Sequence, residues 1–169
     1  EISEPASPQV VATVPMSGAR DVLVAGAYLY VADGSDGMRV IDISRPEAPV
    51  VVGSVHGWLS RRLTIAGDYV YVADDAAGLR VVNVSDPAGP FIEATLSTGG
   101  FAYGVAVHGS YAYVADAVTG LVVVDVSSPG SPQTVTTLGI GSPQDVTIAG
   151  TFAFVAAQDT GLRVVDISD

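Results

Sequence analysis

The 169-residue sequence contains no cysteine and no lysine, and its only histidines are His56 and His108. Without cysteine the chain can form neither disulfides nor thiolate metal sites. The two histidines lie far apart in the chain, and neither has a second histidine at metal-ligand spacing, so a zinc or copper site is not expected. We therefore predict that the protein has no metal centre and no cofactor.

Positive charge is also scarce, because seven arginines stand against 18 Asp and Glu and give a net charge of −11. A field of this sign repels phosphate backbones and anionic lipid surfaces, so nucleic-acid and membrane partners are not expected. No apolar run approaches the roughly 18 residues of a membrane helix. No N-terminal stretch combines a basic start with an apolar core, which predicts that a signal peptide is absent or already removed.

What the chain does contain is an internal repeat of about 41 residues. A Tyr-Val-Ala-Asp motif and its variant Phe-Val-Ala-Ala recur with offsets of 41, 42 and 41, beginning at Tyr30, Tyr71, Tyr113 and Phe154. A second motif, Gly-x-x-Val-x-Asp/Asn, begins at Gly37, Gly78, Gly120 and Gly161. Eight of the ten prolines form Pro-x-x-Pro pairs in the same phase, at 5/8, 46/49, 87/90 and 129/132. These markers divide the chain into repeats of approximately 1–41, 42–82, 83–124 and 125–165.

Each repeat is typical of four short β-strands separated by turn residues. In the second repeat the strands are predicted at 50–55, 62–66, 69–73 and 79–84. Gly67-Asp68 predicts a two-residue hairpin turn, since glycine readily adopts the positive φ that such a turn requires. Equivalent glycines lie at 26, 109 and 150. No window has a helical period, and the regularly spaced prolines oppose a helix across the junctions. The fold class is therefore all-β.

The strands are apolar almost throughout, which indicates sheets that are buried on both faces. One four-stranded sheet cannot cover both of its own faces, but sheets stacked around an axis can. We therefore predict a single β-propeller domain, or a segment of one, built of four-stranded antiparallel blades. A flat open solenoid is the alternative, and it would leave apolar faces bare at both ends.

The region from Pro46 to Pro87, which includes Gly78-Leu79-Arg80-Val81-Val82-Asn83, resembles the LVIVD repeat. The Leu-x-Val-x-Asp core of that repeat is clearest in Leu121–Asp125. The resemblance covers essentially the whole chain and departs from the pattern at Asn83, Val122 and Ala157. It implies a propeller-like fold and a bacterial or archaeal protein, commonly secreted or on the cell surface. It implies no activity, because the family is defined by its structural repeat.

Acidic residues recur at two positions of the repeat. One set is predicted to accept hydrogen bonds from backbone amides in the adjacent turn, because an unpartnered carboxylate in an apolar strand is costly; it comprises Asp42, Asn83, Asp125 and Asp166. The other set begins hairpin turns and is predicted to bond its own backbone two residues on; it comprises Asp33, Asp74 and Asp116. Residues 33–37 superficially resemble a calcium loop but lack its later oxygen ligands, so no calcium site is expected.

The repeats differ most just before the second strand, where a propeller would place residues at the mouth of its central channel. The first of these positions holds Arg20, Arg61, Tyr103 and Gln144, and the next holds Asp21, Arg62, Gly104 and Asp145. Trp58 lies on the same connection. Connections on a rigid scaffold often carry binding residues, and an exposed Trp beside Arg and Tyr is typical of an interface. The candidate binding residues are Trp58, Arg61, Arg62, Tyr103, Asp21, Asp145, Arg20 and Gln144. Alternatively, Trp58 packs onto its own blade.

These features favour a non-catalytic structural or interaction module that binds a protein or a glycan through one propeller face. The alternative is an enzyme, a lyase or hydrolase, that uses polar groups at the channel mouth. The scarcity of histidine and the absence of a nucleophile-elbow motif count against it, and no catalytic residue is predicted.

The phase of the repeat also bears on assembly. Val10–Val14 has the phase of the strand that follows each Pro-x-x-Pro, and the last blade lacks that strand. The strand could complete the last blade of its own chain, giving four blades, or that of a partner in a homodimer, giving eight. The chain could also belong to a longer repeat array. Four blades crowd a propeller axis, so the homodimer or the longer array is favoured.

Overall fold

The computed structural model describes residues 7–168, which fold into four antiparallel sheets. The first sheet contains β1 (Asp21–Ala25), β2 (Tyr28–Ala32), β3 (Met38–Asp42) and β4 (Val50–Val55). The second contains β5 (Arg62–Ala66), β6 (Tyr69–Asp74), β7 (Gly78–Asn83) and β8 (Phe91–Leu96). The third contains β9 (Ala102–His108), β10 (Tyr111–Asp116), β11 (Gly120–Asp125) and β12 (Gln133–Leu138). The fourth has three strands, β13 (Pro143–Ala149), β14 (Phe152–Ala157) and β15 (Gly161–Asp166).

The all-β prediction is confirmed, and the one helical element within residues 7–168 is a short 3₁₀ segment, Gly34–Asp36. The predicted strands 50–55 and 62–66 agree with β4 and β5, the strand predicted at 69–73 is one residue shorter than β6, and the strand predicted at 79–84 is shifted by one residue from β7. The hairpin glycines have the expected positive φ, for example 60° at Gly26 and 58° at Gly67. The turn chemistry therefore fixes the pairing of the inner two strands of each blade.

Each sheet follows chain order, and in the first three sheets the outermost strand comes after a Pro-x-x-Pro connection. A blade thus spans residues 21–55 or 62–96, whereas the sequence repeats were divided at 41/42 and 82/83. The outermost strand pairs with a register shift at the same place in three blades, between Val40/Ile41, Val81/Val82 and Val123/Val124. The register shift between the third and the outermost strand therefore recurs with the repeat, as the strands themselves do.

The core lies between blades rather than within one. Tyr30, Met38 and Val40 of the first blade pack with Val70 and Val72 of the second, and all five are buried. The same kind of apolar contact joins the second blade to the third and the third to the fourth. Burial of apolar surface on both faces of a sheet explains why the strands are so continuously hydrophobic.

The first set of recurring acidic residues behaves as predicted. The Oδ1 atom of Asp42 accepts a hydrogen bond from the backbone N–H of Ser44 at 2.8 Å. The same bond recurs from Ser85 to Asn83, from Ser127 to Asp125 and from Ser168 to Asp166. The hydrogen bonds from Ser44 hold the pKa of the Asp42 carboxyl below its usual value. These residues are turn-forming elements of the repeat.

The four blades do not close into a ring. The innermost strand β1 packs beside β5, β5 beside β9, and β9 beside β13, but β13 makes no comparable contact with β1. Within residues 7–168, Val10–Val14 is not paired with any strand, and Val10 is fully open to solvent. Pairing of this segment with β15 of its own chain, one of the three possibilities above, is therefore not seen.

Candidate functional site

The loops that lead into the innermost strands are held by aspartates of the second recurring set. Asp33 Oδ1 accepts from the N–H of Gly18 at 2.8 Å, and Asp74 Oδ1 accepts from the N–H of Leu59 at 2.8 Å. Both carboxylates are buried. The prediction that these two aspartates bond their own turn is therefore wrong, because the loop fifteen residues upstream supplies the donor instead.

The second oxygen of each of these carboxylates meets an arginine from the third strand. Arg39 Nε donates to Asp33 Oδ2 at 2.7 Å, and Arg80 Nε donates to Asp74 Oδ2. Buried carboxylates are tolerated when they are paired and hydrogen-bonded in this way. The pairs hold the loops of the first two blades in fixed positions.

The third blade has Val122 where the arginine would be. The upstream loop still donates to Asp116, from the N–H of Gly100 to Oδ2 at 3.0 Å, but other donors take the place of the arginine. Thr98 Oγ1 donates to Asp116 Oδ2 at 2.6 Å, and the N–H groups of Val118 and Thr119 donate to Oδ1 at 2.9 Å. Here the predicted bond to its own turn is present. Burial opposes ionisation, but the hydrogen bonds from Thr98, Thr119 and Val118 together hold the pKa of Asp116 below its usual value. In the fourth blade Asp159 holds the equivalent loop, because its Oδ1 atom accepts a hydrogen bond from the N–H of Ser142 at 2.9 Å.

These loops and strand starts enclose a cavity of about 260 Å³ at the channel mouth. Its lining residues come from all four blades and are Arg20, Arg61, Arg62, Tyr103 and Gln144. All five belong to the set predicted from sequence divergence. Two further members of that set, Asp21 and Asp145, contact Arg62 as described below. The structure therefore brings seven of the eight candidate residues together.

Arg61 is fixed by an ion pair and an aromatic ring. Its Nε atom donates to Asp75 Oδ1 at 2.7 Å, and its guanidinium carbon lies 4.0 Å from the centre of the Tyr103 ring. Tyr103 in turn stacks against Phe101, with ring centres 6.5 Å apart and an interplanar angle of 27°. A guanidinium held over an aromatic face in this way has a favourable cation–π contact and a restricted orientation.

Arg62 lies between carboxylates of two other blades. Its Nε atom is 3.5 Å from Asp145 Oδ2, and its Nη1 atom is 3.9 Å from Asp21 Oδ1. Asp21 Oδ2 also accepts from the N–H of Leu63 at 2.9 Å, which ties the first blade to the second. Gly104 leaves room for this arrangement, because a Cβ atom there would lie 2.8 Å from the Asp145 Cα. The charged residues that differ between the repeats at this position, Asp21, Arg62 and Asp145, therefore lie together as one group of opposite charges.

Arg20 differs from the other two arginines. Among residues 7–168 no carboxylate lies within 4.0 Å of its guanidinium, and the residue is exposed at the mouth. Gln144 also lines the cavity and uses its amide nitrogen for long hydrogen bonds of 3.3 to 3.4 Å to Ser142. The cavity therefore presents hydrogen-bond donors beside an aromatic surface.

The eighth candidate, Trp58, is not part of this surface. The predicted exposure of Trp58 is wrong, since only 6% of the residue is accessible to solvent. Its Nε1 atom donates to the carbonyl of Val55 at 2.7 Å, and it packs into the core between the first two blades. The alternative considered above, a packing role, agrees better with the structure, although Trp58 joins two blades rather than covering its own.

Comparison with known families matches the LVIVD repeat at residues 18–56, 59–98, 99–138 and 140–169. The chain belongs to the LVIVD-repeat family. No curated protein sequence matches it. Two designed proteins have similar crystal structures. Ika4 is 11% identical with a TM-score of 0.75, and the match covers 96% of this chain and 100% of that one. Ika8 is 12% identical with a TM-score of 0.73, and the match covers 89% of this chain but only 46% of that one. At these identities the comparisons support the propeller-like fold alone.

Two residues of this site are not among the candidates predicted from the sequence. Asp75 pairs with Arg61 and is the only non-glycine residue with a positive φ, 42°, among residues 7–168. Phe101 stacks on Tyr103. The doubled acidic pair at 74–75 is unique among the four turns and could have indicated the first, and an aromatic residue two positions before Tyr103 could have indicated the second.

A serine–histidine pair lies elsewhere on the LVIVD-repeat fold. Ser54 Oγ is 2.9 Å from His56 Nε2, and His56 Nδ1 is 3.0 Å from the Asp36 carbonyl oxygen. Both residues are exposed at the outer edge of the first blade, and neither lines the channel-mouth cavity. The pair therefore has a hydrogen-bonded base, but it lies outside the cavity lined by the candidate binding residues.

The acidic turns of the LVIVD repeats provide one prediction. We expect the melting temperature to be unchanged by a calcium chelator, because the carboxylates of residues 33–37 are already engaged: Asp33 with Arg39, and Asp36 with Arg39 and with Ser17 at 2.5 Å. Among residues 7–168 no group of three or more acidic or histidine side chains could hold a metal ion. Thermal melts with and without EDTA provide the measurement, and a loss of several degrees on chelation would show a structural ion.

Within the same described range, no helix has the length and apolar character needed to cross a membrane.

Proposed function

We propose that this chain is a non-catalytic interaction module of a secreted or cell-surface protein, and that it binds a protein or a glycan through the channel mouth. The observation that carries the proposal is the cavity lined by Arg20, Arg61, Arg62, Tyr103 and Gln144, whose residues come from four different blades. The repeats are most alike where they build the blades and least alike here, as expected when a rigid scaffold presents a binding surface.

The site is preorganised, which favours binding. Arg61 is held between Asp75 and Tyr103, and Arg62 between Asp21 and Asp145. Side chains that are already ordered lose less conformational entropy when a ligand arrives. The buried aspartates beneath the loops keep the backbone of the mouth in place as well.

The chemistry of the mouth indicates the kind of group it would accept. Arg20 and the amide of Gln144 are donors that suit carboxylate, carbonyl or hydroxyl oxygens. The exposed Phe101 ring and Tyr103 offer an aromatic surface beside them. A sugar with its hydroxyl groups and ring face, or an acidic and partly apolar protein loop, would satisfy both parts of the surface.

Two observations support a non-catalytic role over a lyase or hydrolase. The carboxylates at the mouth, Asp21, Asp75 and Asp145, each face an arginine, so all three are engaged in contacts within the protein. The Ser54–His56 pair is the one feature that favours a hydrolase, but it lies outside the cavity. Ester hydrolysis that is lost in Ser54→Ala would favour that alternative.

A glycan array and a pull-down from cell-surface extracts test the proposal. We expect the wild-type chain to retain a ligand and Tyr103→Ala to lose most of the signal, since Tyr103 provides both the aromatic surface and the support for Arg61. Phe91→Ala is the matched control, because Phe91 is an exposed aromatic residue on the outermost strand β8. Equal retention by wild type and Tyr103→Ala, with loss in Phe91→Ala, would place binding on the outer edge instead.

A further inference from the structure

Equivalent residues of the repeat are buried in three blades and exposed in the fourth. Leu162 on β15 is 68% exposed, whereas its equivalents Met38, Leu79 and Leu121 are 0%, 0% and 1% exposed. In blades one to three this position packs against the following blade. Val164 is likewise 57% exposed, although Val40 and Val81 are completely buried. The fourth blade thus presents an apolar face that is shaped to receive another blade.

The first blade has the complementary defect. Val22 on β1 is 60% exposed, whereas its equivalents Leu63, Val105 and Val146 are 7%, 5% and 6% exposed. In the later blades this position packs against the preceding blade. The chain therefore has two open apolar faces. The face of the fourth blade is of the kind that packs against the following blade elsewhere in the molecule, and the face of the first blade is of the kind that packs against the preceding blade.

The edge of β15 is open as well. The third strands β3, β7 and β11 each pair with an outermost strand, but β15 pairs only with β14 within the described residues. Its sequence, Gly-Leu-Arg-Val-Val-Asp, differs from that of β7 only at the last residue, where β7 has Asn83. Residues 9–14 have the phase of the outermost strands. They are unpaired within the described part of the chain. An exposed apolar edge of this kind is a template for pairing with another strand.

We propose that a second copy of this chain supplies residues 9–14 as the fourth strand of the last blade, in a two-fold exchange. The register of the first blade fixes the pairing: Met38 faces Val55, Arg39 faces Ser54 and Asp42 faces Val50. Transferred by the repeat, Leu162 faces the partner copy's residue 14, Arg163 its residue 13 and Asp166 its residue 9. Backbone pairing of this kind is β-strand addition.

The exchange also covers both apolar faces. Residue 14 precedes Asp21 by seven positions, as Val55 precedes Arg62. When residues 9–14 of one copy pair with β15 of the other copy, β1 of the first copy therefore lies beside the fourth blade of the other, as β5 lies beside the first blade. Val22 of one copy then packs near Leu162 and Val164 of the other, and two-fold symmetry repeats the contact.

Light scattering on the purified chain tests the stoichiometry. We expect a mass of twice 17.2 kDa for the wild type and a shift to the monomer in Leu162→Glu, because a charge in the apolar interface is costly. Val118→Glu is the matched control, since Val118 is 65% exposed but lies in the β10–β11 turn, away from both open faces. A wild-type monomer, or a dimer that persists in Leu162→Glu, would overturn the proposal.

Cross-linking tests the strand register in the otherwise cysteine-free chain. Thr13→Cys and Arg163→Cys are made in separate preparations, mixed, refolded together and oxidised. Facing residues on paired strands lie within the range of a disulfide, so we expect a covalent dimer on non-reducing gels. Replacing Arg163→Cys with Val118→Cys in the mixture should abolish that band. Equal bands in both mixtures, or no band in either, would contradict the exchange.

Discussion

Trp58→Ala is expected to lower the free energy of unfolding by about 3–5 kcal/mol, the cost of truncating a large buried aromatic side chain. Trp58 fills the core between the first two blades, donates to the Val55 carbonyl at 2.7 Å, and lies beneath Arg80, whose guanidinium carbon is 5.1 Å from the ring. Truncation leaves a cavity, an unpaired carbonyl and an unsupported arginine together. A urea titration followed by far-UV circular dichroism gives the measurement.

Phe101→Ala is the control for that titration, because Phe101 is 43% exposed at the mouth and should change stability by under about 1 kcal/mol. Gly37→Ala should reproduce the Trp58→Ala effect. Gly37 has a φ of +84°, and a Cβ atom added there would collide with the indole nitrogen of Trp58. Equal midpoints for Trp58→Ala and wild type would contradict the assignment of Trp58 to the core.

Asp74→Ala is expected to destabilise the chain by about 3 kcal/mol, near the lower end of the range for breaking a buried ion pair, because Arg80 is partly exposed. The substitution leaves Arg80 without its carboxylate and the N–H of Leu59 without its acceptor. The same urea titration measures the effect. Because this carboxylate holds the loop before β5, the variant should also weaken any binding at the mouth.

Two further variants isolate the charge pair. Asp68→Ala removes an exposed acidic residue of the β5–β6 hairpin turn and should leave the urea midpoint nearly unchanged. Adding Arg80→Val to Asp74→Ala should recover part of the loss, because the third repeat has Val122 at that position and needs no arginine. A double variant as unstable as the sum of the two single variants would show that the two side chains do not interact.

The fold could be predicted almost completely from the sequence because the same local signals recur in every repeat and can be compared with one another. Strand bounds, hairpin glycines and the bonds of Asp42 and its equivalents follow from local chemistry that recurs four times. The partners of Asp33 and Asp74 could not be predicted in this way. Their donors lie fifteen residues upstream, and only the packing of loop against turn brings them together.

The divergence of the repeats predicted which residues lie together at the mouth, whereas composition led to a wrong position for Trp58; ligand binding by these residues stays a prediction. The divergent positions before the innermost strands lie close together, because the innermost strands of consecutive blades pack side by side. Trp58 was assigned to a binding surface because its loop is variable and Trp is common at interfaces. A single tryptophan is equally compatible with a buried position in the core. Its contact with Gly37, a glycine of positive φ, joins residues that are distant in the sequence and is visible only in three dimensions.

Binding at the channel mouth is tested most directly by the affinity of the ligand recovered from the array or pull-down for Arg20→Gln and Arg45→Gln, measured by isothermal titration calorimetry. Arg20 lines the cavity, whereas Arg45 is exposed in a Pro-x-x-Pro connection and serves as the matched control. We expect at least about a tenfold weaker affinity for Arg20→Gln, equivalent to about 1.4 kcal/mol, and no change for Arg45→Gln. Equal affinities for wild type and Arg20→Gln, or an equal loss in both variants, would contradict binding at the mouth.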